Sequence, residues 1–186
     1  MNAPDTDLSR RKFLTATAGA AAVAATPASV FAGMAHSDTF NERQVVAVFD
    51  PNDDDSVAFA AAIPAHLRLS VADDPMRTWR NLKRQQAVSG PFVVAGLTRY
   101  ADYFIYSQLL SEDRAATRFE GRHLRSGGNT RHALPVSSDR VEAAGAAWPG
   151  ALAAHIASLS LADSRHLNAT TPAVTSGDCL FSWVIS

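Results

Sequence analysis

Three apolar runs constrain this chain more than any other feature: QVVAVFD at 44–50, PFVVAGL at 91–97 and CLFSWVI at 179–185. Runs this continuous, rich in Val, Phe and Ile, fit strands covered on both faces, which is the environment of a parallel sheet. Helical patterns lie between them. DSVAFAAAI (55–63) suits a short helix, and HLRLSVAD (66–73) alternates Leu67, Leu69 and Val71 like a strand. PMRTWRNLKRQQ (75–86) reads as a helix, with Asp74 as its cap and Pro75 in the first helical position. RYADYFIYSQLLSED (99–113) reads as another, capped by Thr98. TRFEGRHL (117–124) is a strand candidate, RSGGNTRHALPVSS (125–138) a loop, and 139–160 an Ala-rich helical region restarting at Pro149. Strand and helix in alternation predict an α/β fold: a single three-layer domain with a mostly parallel sheet.

Composition removes several classes of function. The chain carries 17 Lys and Arg against 18 Asp and Glu, a net charge of −1. Leaving out the three basic and two acidic residues of the first 35 shifts it only to −2. No basic excess points to nucleic acid. Cys179 is the single cysteine, so neither an internal disulfide nor an iron–sulfur cluster nor attached haem has the thiols it needs. No cofactor is expected. Cys179 sits in an apolar run and reads as an inert core thiol.

The N-terminus carries a different kind of signal. Residues 1–12 are polar and end in Arg10, Arg11 and Lys12, whereas 13–37 contain no Asp, Glu, Lys or Arg. Small residues near Val30-Phe31-Ala32 and Gly33-Met34-Ala35 offer cleavage sites. Ser9-Arg10-Arg11-Lys12-Phe13-Leu14 resembles the twin-arginine export signal, with Thr15 where Lys is often found. The resemblance covers only the first 35 residues. It implies a signal at 1–35 recognised through Arg10 and Arg11 by the twin-arginine (Tat) export machinery, a domain at 36–186, and a periplasmic or secreted destination. The alternative is an uncleaved signal that anchors the chain to a membrane; its apolar part, mostly Ala, is weak for a span.

The sequence has no G-x-S-x-G, G-x-G-x-x-G, P-loop, H-E-x-x-H or C-x-x-C motif beyond the signal. The fold class supplies the next argument. Open parallel sheets bind ligands beyond the carboxyl ends of their strands. Those ends would carry Asp50, Asp73, Thr98, Arg99 and His123, a set of acids, a base, a hydroxyl and an imidazole suited to a small polar ligand. Asp50 and Asp73 would accept hydrogen bonds, Arg99 would pair an anionic group, and Thr98 and His123 would orient it. Capping turns account equally for Asp54, Asp55, Asp74 and Thr98. Asp50, Asn52 and Asp54 have the spacing of a calcium loop, but Asp55 and Ala61 stand where Gly and Glu belong, so no metal is expected there. His123 and His132 lack a third ligand of suitable spacing. A basic stripe of Arg77, Arg80, Lys83 and Arg84 reads as a solvated helix face.

Two further classes stand beside ligand binding. One is a hydrolase using Asp50 or His123 as a base. The other is an accessory subunit, or a homodimer, docking through the helix that carries Tyr100, Tyr103 and Tyr106, the only tyrosines in the chain.

Overall fold

The computed structural model describes Phe40 and residues 43–161, 167–168 and 178–186, all within the compact unit His36–Ser186. The twin-arginine segment, Arg10, Arg11 and the cleavage sites lie outside the described residues. The elements run β1 (Gln44–Phe49), α1 (Asp54–Ala62), β2 (Leu67–Ser70), α2 (Pro75–Ser89), β3 (Phe92–Thr98), α3 (Tyr100–Ser111), β4 (Thr117–Ser126), β5 (Asn129–Ala133), α4 (Asp139–Ala143), α5 (Trp148–Ala157), β6 (Leu167–Asn168) and β7 (Asp178–Ile185). A 3₁₀ turn at Gly145–Ala147 leads into α5.

The strands form one sheet in the order β2-β1-β3-β7-β4-β5, and β6 pairs with β4 off that path. Helices cover both faces, so the fold is α/β in three layers. Successive residues of each strand point to opposite faces. Val45, Ala47, Val93, Ala95, Leu97, Leu180 and Val184 pack with Phe59 of α1 and Leu152 and Ile156 of α5. Val46, Val48, Val94, Trp183 and Ile185 pack with Trp79 and Leu82 of α2 and Tyr106, Leu109 and Leu110 of α3. Gly96 stands opposite Trp183, and a Cβ there would run into the indole, so the strand admits the ring only because the side chain is absent.

The expectation of a mostly parallel sheet is corrected. β1 pairs parallel with β2 and β3, but β3–β7, β7–β4 and β4–β5 are antiparallel, three of the five neighbours along the path. The cause lies in what an apolar run encodes. A strand buried on both faces needs apolar residues whichever way it points. CLFSWVI therefore predicts burial, which is right, and says nothing of direction. Because β7 runs against β3 and β4 runs against β7, β4 points the same way as β1 and β3. All three end on one edge.

Local chemistry sets the boundaries near that edge. Asp53 caps α1 by accepting the Ser56 N–H at 3.1 Å. Asp74 caps α2 by accepting from Met76 and Arg77, with Pro75 in the first turn. Thr98 was expected to cap α3 but remains in β3, buried, and Arg99 takes the cap position without a side-chain bond. The stretch expected as a loop at 125–138 begins instead with a hairpin. Gly127 and Gly128 sit at φ +57° and +81°, the two positive-φ positions of a tight turn whose twist matches the strands it joins. β4 thus runs on through Arg125 to Ser126, and β5 returns from Asn129. No helix among the described residues is long and apolar enough to cross a membrane.

Candidate functional site

The chain order makes a switch point between β1 and β3. β1 leads into α1 on one face, and β3 leads into α3 on the other, so the two loops part above the sheet, the position where open α/β sheets bind ligands. Ser56 pins this point. Its hydroxyl donates to the Leu97 carbonyl and accepts the Asp50 N–H at 2.8 Å, tying the end of β1 to the end of β3. Asp50 turns back on itself, one oxygen accepting the Asn52 N–H at 2.9 Å. Asp102, in the first turn of α3, is pushed up in pKa by burial and then by the negative charge of Asp50.

Arg125 brings the antiparallel half of the sheet to the same rim. Its guanidinium pairs with Asp53, with Asp55 at 3.2 Å and with Asp178 at 3.0 Å. Arg99 pairs with Asp178 and lies 3.8 Å from Asp53. Two arginines and three aspartates therefore form one continuous network across α1, β3, β4 and β7. Burial tends to lower the Arg125 pKa, but Asp53, Asp178 and Asp55 outweigh it and the net shift is upward. Burial raises Asp55, with Asp53 and Asp54 adding to the effect and Arg125 opposing it.

A cleft of about 640 Å³ opens beside the network. Its walls are the β4–β5 turn, Asp55 at the start of α1, Glu142 of α4, and the approach to α5 at Gly145 and Trp148; His132 of β5 and Asp178 complete the lining. Its charged walls are three carboxylates, Asp55, Glu142 and Asp178, and one guanidinium, Arg125, so negative groups outnumber the cation. The cleft is consequently electronegative.

Behind the cleft wall lies a buried polar chain. His123 and His132 face each other across β4 and β5, Nδ1 to Nδ1 at 2.8 Å. The His123 Nε2 meets the Ser182 Oγ at 2.8 Å. His123 and Ser182 are fully enclosed. Trp148 stacks on His123 with ring centres 4.6 Å apart and leans on His132 at 4.8 Å. Burial, aided by the neighbouring His132, pushes the His123 pKa far down; burial also lowers His132, with Glu142 pulling the other way.

The five residues expected to converge are only partly brought together. Asp50 and Arg99 stand at the switch point. Thr98 lies just beneath, but its hydroxyl accepts the Trp183 indole N–H at 3.1 Å and donates to the Arg99 carbonyl, so it braces the core and does not face the edge. Asp73 lines a separate groove of about 490 Å³ with Arg77, Asn81 and Leu69. His123 is inside the sheet layer, and the residue of β4 that reaches the edge is Arg125. Arg99, expected to take an anion, already holds Asp178. For the hydrolase alternative, Asp50 and His123 belong to separate hydrogen-bond sets with no common partner. Among the described residues no three His, Cys, Asp or Glu side chains are placed to hold a metal ion. Of the tyrosines, Tyr106 is buried, Tyr103 donates to Glu120 at 3.0 Å and only Tyr100 is exposed.

The reading of 125–138 as loop concealed Arg125, His132 and the cleft. The Gly-Gly pair flanked by RHLRS and NTRHA was the available signal for a hairpin. Compared with protein-family models, with curated proteins and with solved structures, the chain matches none.

Proposed function

We propose that this protein is an exported α/β binding protein whose site is the cleft at the carboxyl edge, and that its ligand is a small neutral or cationic molecule rich in hydroxyl or amino groups. One observation carries this reading: the cleft adjoins the switch point where α/β sheets bind ligands, and its charged lining is three carboxylates, Asp55, Glu142 and Asp178, against one guanidinium. Carboxylates accept hydrogen bonds from hydroxyl and ammonium donors. A ligand anion would have to displace Asp178 from Arg99, so the anion-pairing role first assigned to Arg99 gives way to a structural one.

A thermal-shift screen of sugars, polyols, amines and dicarboxylates tests the reading. Ligand at a hundred times its Kd adds about 2.7 kcal/mol, several degrees for a domain of this size. A polyol or amine should raise the melting temperature, and Asp55→Asn should remove the gain while Asp73→Asn, in the other groove, keeps it. Dicarboxylates alone giving the gain, or Asp55→Asn leaving it intact, contradicts the reading. Export rests on Arg10 and Arg11. Changing both to lysine should abolish export of the full chain, because lysine cannot reproduce paired guanidinium forks.

A second reading has its own observation. Tyr100 and Phe104 on α3 are 55% and 50% exposed, with Ile105 beside them, an apolar face suited to a partner or a second copy. Phe104→Asp should release a copurifying partner and leave the fold intact. Tyr103→Asp is a poorer test, since Tyr103 is half-buried and bonded to Glu120.

A further inference from the structure

The buried chain behind the cleft has a direction, and the direction follows from counting protons. Ser182 is fully buried, and its hydroxyl hydrogen needs an acceptor. Among the described residues the partner it meets is the His123 Nε2. If Ser182 donates there, that nitrogen carries the lone pair, and a neutral His123 must hold its proton on Nδ1. The His123 Nδ1–H then donates to the His132 Nδ1. A neutral His132 must in turn hold its proton on Nε2, the ring nitrogen left over on a residue that lines the cleft. The opposite direction fails at its far end. There His123 would donate to the Ser182 oxygen and leave the hydroxyl hydrogen enclosed without a described acceptor.

We infer that Ser182, His123 and His132 form a one-way hydrogen-bond chain that presents the Nε2–H of a neutral His132 to the cleft as a fixed donor, and that the ligand carries a carbonyl-type oxygen to meet it. The inference rests on the cleft being the ligand site. It refines the ligand class to a small molecule bearing one acceptor oxygen alongside hydroxyl or amino donors. The donors meet Asp55, Asp178 and Glu142, and the acceptor meets His132. Unlike the hydroxyls of Ser126 and Thr130, which can turn to donate or accept, a donor fixed by the chain behind it discriminates among ligands: a partner group left unpaired there is costly. His132 is the residue touching ligand; His123 and Ser182 are positioning residues.

The chain also resists protonation of His132. An imidazolium has N–H on both nitrogens, so its Nδ1–H would point at the His123 Nδ1–H. Accepting the proton requires His123 to move its own proton to Nε2, reversing the chain and stranding the Ser182 hydroxyl. His123 from β4, Trp148 from α5 and Glu142 from α4 act on His132, and Asp55 of α1, Arg125 of β4 and Asp178 of β7 line the same cleft. Glu142 favours the charged form, while burial and the chain oppose it.

The test uses the full chain labelled with ¹⁵N-histidine and long-range ¹H–¹⁵N correlation, which reads the protonated nitrogen of each imidazole directly. At pH 7, His123 should be protonated on Nδ1, the less common form of a free imidazole, and His132 on Nε2. On acidification His132 should stay neutral below the ordinary imidazole midpoint of 6.5. Hydroxyacetone, which joins a carbonyl to a hydroxyl, should move the His132 Nε2 resonance, and ethylene glycol, which lacks the carbonyl, should move it less. Finding His123 protonated on Nε2 overturns the chain even if the thermal-shift screen yields a ligand. Finding the expected tautomers with no movement of His132 under hydroxyacetone overturns its role as ligand donor; if no screened compound stabilises the protein either, the cleft reading falls with it.

Discussion

From Val45 to Phe49 and from Phe92 to Leu97 the parallel half of the sheet has no polar side chain. In β4 and β7, positions equally far inside the fold hold His123 and Ser182, the half-buried His132 of β5 continues the set towards the cleft, and Arg125 sits one step from the edge. The two halves share a sheet and a covering of helices, yet their interiors obey different constraints. The side chains of an apolar strand have no proton to place and none to lose, whatever lies beyond its end. A polar strand interior is stable only if each donor finds an acceptor, so its last member must look outward. In this protein the outward end is the cleft. The comparison teaches that the parallel half supplies the rigid edge, and the antiparallel half supplies the chemistry carried to it.

Substitutions in the two halves should therefore differ in kind as well as size. Phe59→Ala empties a fully buried site of α1 beneath β1 and β3, and should cost about 3–5 kcal/mol while leaving the histidine tautomers unchanged. Denaturant unfolding measures the first and NMR the second; altered tautomers would mean that the halves are not separable. Arg125→Ala leaves Asp53 enclosed without its main cation. Removing one partner of a fully buried pair costs about 3–5 kcal/mol, and since Arg125 is 23% exposed the loss here should be nearer about 2–3 kcal/mol. It should also abolish any ligand-induced thermal shift.

His123→Phe comes next, at about 1–3 kcal/mol for the stranded Ser182 hydroxyl. It sharpens the contrast through pH. His123 and His132 bind protons less readily in the folded chain than in the unfolded one. Their contribution is complete above the unfolded imidazole range near 6.5 and is lost as the pH falls below it, at up to about 1.4 kcal/mol per pH unit for each group. Melting temperature should fall from pH 7 towards pH 5, and His123→Phe should flatten that slope. An unchanged slope would remove His123 as its source. The smallest effect belongs to Lys83→Ala on α2. Lys83 pairs with Asp113 and lies over Trp79, but it is 42% exposed, and its loss should cost under about 1 kcal/mol and shrink further in salt.

The parallel half was legible in the sequence because its rules are local. Val45–Val48 and Val93–Leu97 announce buried strands, Asp74-Pro75 announces a helix start, and Asp50 and Arg99 follow at strand ends beside the switch point. The antiparallel half was not, because direction and partnership are set by residues far apart in the chain. Cys179–Ile185 reads the same whether β7 runs up or down. Read as loop, Ser126-Gly127-Gly128-Asn129 makes His123 the end of a strand; as a hairpin turn it sets His132 opposite His123 and carries Arg125 to the rim. Thr98 illustrates the limit of capping rules. A hydroxyl before a helix suits a cap, but the Trp183 indole N–H, brought across from β7, needed the same oxygen.

Ligand should enter the cleft between the β4–β5 turn and α5. An amide chemical-shift map of the full chain with the best stabilising compound of the thermal screen tests it most directly. The largest shifts should fall at Gly127, Gly128, Asn129, His132 and Gly145, with Leu69, Asp73 and Arg77 unmoved. Shifts confined to the groove at Asp73, or to the exposed face of α3 around Phe104, would contradict it.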